Sequence, residues 1–339
     1  MRRALHTIRL LSGLLVFAVF QISCSGDLAG DRPYVLATAT VGGTYYPVGV
    51  ALATITKSRL HAEHGISLAA ISSAGSLENI KLLRDNQAQF ALLQGVFAAW
   101  AWNGEGPVRE PQPWLRSVSA MWLNVEHFAL LTEYVENGTL QDLGTLDGQR
   151  YVLGERNSGA EHTGAYILDS LGIDYRQKLD LAYMGYGATA DAIQDGNIAG
   201  MNIPAGVPVS AITRAWAVLG DRMVVLNVSE SELAQINRRY PLWDYYDMPA
   251  GTYPNQQAPI RSAGHPNVLA VRADVPEETV YQITKSMWQN LSALQEIHRA
   301  TNDMKLDLAL KGLGAPLHPG AARYYREQGL DIPGHLSPP

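Results

Sequence analysis

Three short stretches put glycine next to a hydroxyl or amide residue directly before a helix-like run: "GGTYYP" (42–47), "SSAGSLEN" (72–79) and "ERNSGAEH" (155–162). The first turn of a helix leaves backbone N–H groups without internal partners, and the aligned peptide dipoles place about half a positive charge there. A carboxylate or phosphate can therefore be held without a lysine or arginine, provided glycine lets it approach the backbone. The candidate ligand residues are Gly43, Thr44, Tyr45 and Tyr46 in the first stretch, and Ser73, Gly75 and Ser76 in the second. Asn157, Ser158 and Gly159 follow in the third. Ser76 reads as an N-cap, and the two tyrosines supply an apolar wall with phenolic donors. Each turn, taken alone, also reads as an ordinary helix cap, and the tyrosine pair as surface packing.

Other chemistries find little support. "HAEH" (61–64) and the Glu-His pairs at 126–127 and 161–162 lack the i, i+4 histidine spacing of a zinc-protease helix, and read as solvated polar surface. There is no G-x-S-x-G elbow, Walker loop or G-x-G-x-x-G fingerprint, so neither a metal, a cofactor nor catalysis is expected. A net charge of −6 speaks against nucleic acid, which calls for a basic surface.

These turns need elements to position them. Arg2, Arg3 and Arg9 flank the apolar run "LLSGLLVFAVF", which is too short to span a bilayer and reads as an export signal over 1–23. The only cysteine, Cys24, follows it. A buried core thiol fits that place badly, and acylation as a lipoprotein anchor fits it better, with 24–31 as a tether. From there strands and helices alternate: "YVLATAT", then a helix from about Pro47; "GISLAAISS", then "SLENIKLLRDNQ"; "AQFALLQG"; and an extended "LRSVSAMWLNVEHFALLTE". A second strand–helix series follows to about 270, and a long amphipathic helix carries Val280, Ile283, Met287, Leu291 and Leu294. Such alternation predicts an α/β fold with mostly parallel sheets and ligands at the carboxyl ends of strands. The segment 227–264 is hard to assign. Trp100, Trp102 and Trp114 read as packing residues, with one of them a candidate to flank the cleft.

"ATATVGGTYYPVGVALA", "AGSLENIKLL", "QAQFALLQG", "LGERNSGAEHTGAYILDSLGI", "NVLAVRADVPEETVYQITKSMWQN" and "PLHPGAARYYREQG" together resemble the TAXI family of solute receptors for TRAP transporters, in order from about 34 to 330. The resemblance implies a two-lobed periplasmic-binding-protein type II fold whose lobes are joined by two crossing strands. It also implies a small carboxylate ligand (a dicarboxylate or an acidic amino acid), no catalysis, and delivery to an integral-membrane permease driven by an ion gradient. A sensor kinase as the partner is the alternative. On this resemblance lobe I covers 32–129 plus 272–332 and lobe II covers 130–271, in a periplasmic, lipid-anchored protein. Gln94 matches a cleft-facing polar position. Two departures stand out: Ala160 occupies the place of a usual threonine, and Gly95-Val96 follows Gln94 where an aspartate is common. Arg156 is then a candidate for a charge-assisted contact.

Overall fold

A computed structural model describes residues 33–339; the export signal, Cys24 and the tether lie outside the described residues. The elements run β1 (Tyr34–Ala37), α1 (Tyr45–His64), β2 (Leu68–Ile71), α2 (Ser76–Arg84), β3 (Phe90–Gln94), α3 (Gly95–Asn103), β4 (Leu115–Val125) and β5 (Phe128–Leu131). Next come β6 (Gln149–Gly154), α4 (Gly159–Ser170), α5 (Tyr175–Lys178), β7 (Leu179–Tyr183), α6 (Tyr186–Gln194), β8 (Gly200–Asn202), α7 (Ser210–Leu219) and β9 (Met223–Val225). The chain ends with α8 (Glu230–Ile236), β10 (Asp244–Met248), β11 (Ile260–Arg272), α9 (Glu277–Gln289), α10 (Leu291–Ile297) and α11 (Pro319–Glu327). Among the described residues no helix is long and apolar enough to cross a membrane.

Two sheets carry these elements. The first has the order β10-β11-β3-β1-β2, with β4 also paired to β11; the second has the order β7-β6-β8-β5-β9. Strands β1, β2 and β3 pair in parallel, as the strand–helix alternation requires, and so do β6, β7 and β8. Antiparallel pairing enters where the chain changes sheet, through β11 with β3, β4 and β10, and through β5 with β8 and β9. One crossing runs along β4 through Glu126 and His127 into β5. The other follows β9: Leu226 N–H still bonds to Phe128 O at 2.8 Å, and Val228 N–H bonds to Arg261 O of the first sheet at 2.8 Å.

The structure departs from the sequence reading at several points. Strands β10 and β11 pair in the first sheet, although 130–271 was expected in the second lobe. The reason is pairing: one edge of β11 takes β4, and the other takes β10 over its first half and β3 over its second. The long terminal helix is two helices, broken at Asn290. Glu126 and His127 are fully buried at the crossing and are not solvated surface.

Candidate functional site

Five helices begin at one small cavity. Tyr45, Ser76, Gly159 and Tyr186, the first residues of α1, α2, α4 and α6, all line it, as does Gln94, the residue preceding α3. Each follows a short connection from the carboxyl end of a strand, the edge at which open α/β sheets bind ligands. Their first-turn amides belong to the set a helix leaves unpaired, so the positive ends of five peptide dipoles meet in one place. The lining contains no lysine, arginine or histidine. The cavity is small, ≈ 30 Å³. A wider groove of ≈ 500 Å³, lined by Met121, Tyr245, Tyr246 and Lys311 among others, has none of these five helix starts in its wall.

The walls come from both sheets and are in contact. Thr44 Oγ1 accepts from Gly206 N–H at 3.1 Å and sits 3.0 Å from Gly206 O, its own acceptor. Ser210 Oγ donates to Gly42 O at 2.8 Å, and Ala211 N–H approaches the same carbonyl at 3.3 Å. Gly43 faces the Tyr186 ring so closely that a Cβ would lie 3.0 Å from it. That close approach is why the first turn needs glycine there. Gly159 faces Gln94 and Ser76 in the same way, at 2.7 Å and 2.9 Å from a hypothetical Cβ. This is a shut cleft, its first and third turns set against the opposite wall by side-chain-to-backbone bonds and close glycine contacts.

Tyr45 anchors the floor. Its hydroxyl donates to Asn267 Oδ1, whose amide nitrogen donates to Trp122 O at 3.1 Å, and its ring packs edge-on against Trp122. Burial, then the neighbouring Tyr186 phenol, raises its pKa, partly offset by the Ser76 hydroxyl. Burial and the nearby Glu126 carboxyl raise that of Tyr186, which donates to Pro204 O at 2.9 Å. Both phenols therefore remain O–H donors. Three buried polar atoms of the lining residues have no partner among the described residues: Thr40 Oγ1, Gln94 Oε1 and Asn124 Nδ2. Unpaired buried polar atoms cost on the order of 1–3 kcal/mol each, which a ligand offering the complementary groups would recover.

The cavity lining thus brings together Gly43, Thr44, Tyr45, Gly75, Ser76, Gln94 and Gly159. It does not include Tyr46, Ser73, Arg156, Asn157 or Ser158. Ser73 ties its own turn: its hydroxyl lies 2.6 Å from Asn79 Oδ1 and accepts from Gly75 N–H at 3.0 Å. Asn157 adopts a left-handed backbone (φ 61) and donates its N–H to Glu161 Oε2, while Ser158 caps α4 by accepting from Glu161 N–H at 2.9 Å. Arg156 stacks over the Tyr183 ring at 3.8 Å. Ser76 is not an N-cap; Gly75 holds that position with φ 116, and the Ser76 hydroxyl instead accepts from Gln94 N–H at 3.0 Å. None of Trp100, Trp102 and Trp114 lines the cavity.

Thr40, Asn124, Tyr186, Pro204 and Ala205 line the cavity too, beside Ala39, Ala74 and Ala160, and none of those five stood out in the sequence. "MGYGATADAI" (184–193) repeats the strand–glycine–helix grammar and was a usable signal for Tyr186. Asn124 sits inside a strand and offered none.

The profile of the NMT1-like family matches residues 36–329. Among solved structures, MatC (Rpa3494) from Rhodopseudomonas palustris with bound malate superposes with a TM-score of 0.51 at 13% identity, over 80% of this chain and 88% of that one. The periplasmic binding protein BugD superposes with a TM-score of 0.52 at 11% identity, over 87% and 93%. At such identities the likeness shows the fold: two α/β lobes of the periplasmic-binding-protein kind.

Proposed function

The chain belongs to the NMT1-like family, and from that premise we propose that it is an exported solute receptor that closes on a small carboxylate and performs no chemistry. The observation that carries this reading is the convergence of five helix starts on a cavity without a cationic side chain. Oriented amides neutralise an anion at that point, and closure removes the water that would screen them. The walls already touch across Thr44–Gly206 and Gly42–Ser210, so admission of a solute requires the lobes to part, a hinge motion for which the two crossings serve. The malate in the MatC structure supports a carboxylate of similar size. The resemblance to TAXI receptors supports delivery to a TRAP-type permease, and the signal-like segment with Cys24 supports a lipid-anchored periplasmic location.

A thermal-shift panel of malate, succinate, 2-oxoglutarate, L-glutamate and L-aspartate tests the ligand class. A true ligand at a hundredfold excess over its Kd adds about 2.7 kcal/mol of stability, a shift of several degrees. No shift from any member at millimolar concentration refutes the carboxylate reading.

A further inference from the structure

We propose that this site takes up its acidic solute together with a proton, and that Glu126, just beneath the cavity, holds that proton. The inference rests on the receptor reading above and adds the ionic form in which the solute is bound.

Glu126 is fully buried at the crossing between β4 and β5, two residues beyond Asn124 of the cavity wall. Its Oε2 accepts from Asn202 Nδ2 at 2.8 Å. The remaining oxygens of that same pair, Glu126 Oε1 and Asn202 Oδ1, are both buried and both lack a partner among the described residues. Two acceptors orphaned on two side chains already joined by one bond are what an ionised carboxylate leaves behind. A proton on Oε1 gives the pair its missing donor, because a carboxylic acid and an amide can exchange one hydrogen bond in each direction.

Among the described residues the surroundings offer no counter-charge. Tyr151 of β6, whose hydroxyl also has no partner, Tyr186 of α6 and Thr163 of α4 face this carboxyl, and all are neutral. His127 is turned away, with Nδ1 at 2.9 Å from Val125 O and 3.0 Å from Ile203 O, and Nε2 against the Tyr253 hydroxyl. Burial pushes the Glu126 carboxyl up to about 7, against the hydrogen bond from Asn202, which pulls it down. An anion entering the cavity raises it further, since like charges disfavour ionisation. Binding above neutral pH therefore draws a proton from solution, and affinity falls as pH rises.

Calorimetric titration with succinate, fully ionised in this range, tests the idea on the full-length protein and on Glu126→Gln. The glutamine can make the same two-way pairing with Asn202 and cannot titrate. Between about pH 7 and about pH 9 the parent should lose about tenfold in affinity and show buffer-dependent heats of proton uptake, whereas the variant should show neither. Binding by the parent without proton uptake, or a variant that keeps the pH dependence, overturns the proposal. A second measurement needs no ligand. The infrared carbonyl band of a protonated carboxyl should be present in the parent at about pH 6, lost well above neutrality and missing from Glu126→Gln; without that band Glu126 holds no proton there. If succinate and the rest of the carboxylate panel fail to bind while the band behaves as described, the receptor reading has failed and the proton site stands.

Discussion

Replacing Gly159 with alanine adds one methyl group where the two walls meet. A Cβ there would lie 2.7 Å from Gln94 Nε2, 2.9 Å from Ser76 Oγ and 3.1 Å from Gln94 Cδ, all nearer than the ordinary 3.4 Å. Gly159 is the first residue of α4 and has no positive φ, so alanine suits the helix and should leave each lobe as stable as before. The clash exists only when the cleft is shut, because Gln94 and Ser76 belong to the opposite wall. Overpacking of this kind costs about 1–3 kcal/mol, and partial opening can relieve it, so the cost appears in binding: about 5- to 150-fold in Kd. Calorimetry with whichever carboxylate the panel identifies gives the affinity, and thermal unfolding without ligand gives the control. A folded Gly159→Ala protein with parental affinity would refute the argument that this contact forms on ligand capture.

Further outcomes follow from particular contacts. Ser76→Ala removes the acceptor of the buried Gln94 N–H and should destabilise the ligand-free protein by about 1–3 kcal/mol, read by denaturant unfolding. Thr44→Val deletes both bonds to Gly206; small-angle scattering should report a more open molecule, with weaker binding and little change in lobe stability. Tyr253→Phe leaves His127 Nε2 and Val209 N–H without the hydroxyl that joins them, and a fall of roughly 2–4 kcal/mol in unfolding free energy is expected. Stability should also fall in acid: burial holds His127 at about 4 and His265 at about 3, so the folded state binds fewer protons than the unfolded chain, and the contribution complete above about pH 6.5 is lost as pH drops through that window. Glu126 runs the other way, its raised carboxyl favouring the fold below about 4.5 and opposing it as pH rises through about 7, so equilibrium unfolding of His127→Phe should show a flatter acid limb. An unchanged limb would mean that His127 is not neutral in the fold.

Much of the first sheet was legible because its signals are local. Strand–helix alternation placed β1, β2 and β3 with the helices that follow them, and glycine–serine turns marked three of the five helix starts at the cavity. Within those turns, residues that line a cavity and residues that hold a turn together carry the same local signal. Ser73, Asn157 and Ser158 look like ligand groups and bond their own loops. Arg156 looks like an anion contact and stacks on Tyr183. Hydroxyls and amides serve both purposes with the same atoms, and only the direction of each side chain separates them.

The amino-acid sequence by itself determined the α/β alternation and the turns whose bare backbone exposes helix amides. Those features depend on neighbours a few residues apart, where glycine's freedom and the 3.6-residue period act directly. Tertiary structure alone decided that Asn124 joins the cavity, that β10 and β11 belong to the first sheet, and that Glu126 loses its water beside Asn202. Each of those outcomes is a meeting of segments tens of residues or more apart, set by which strand edges pair and which side chains burial then forces together, and no local pattern in the chain records it.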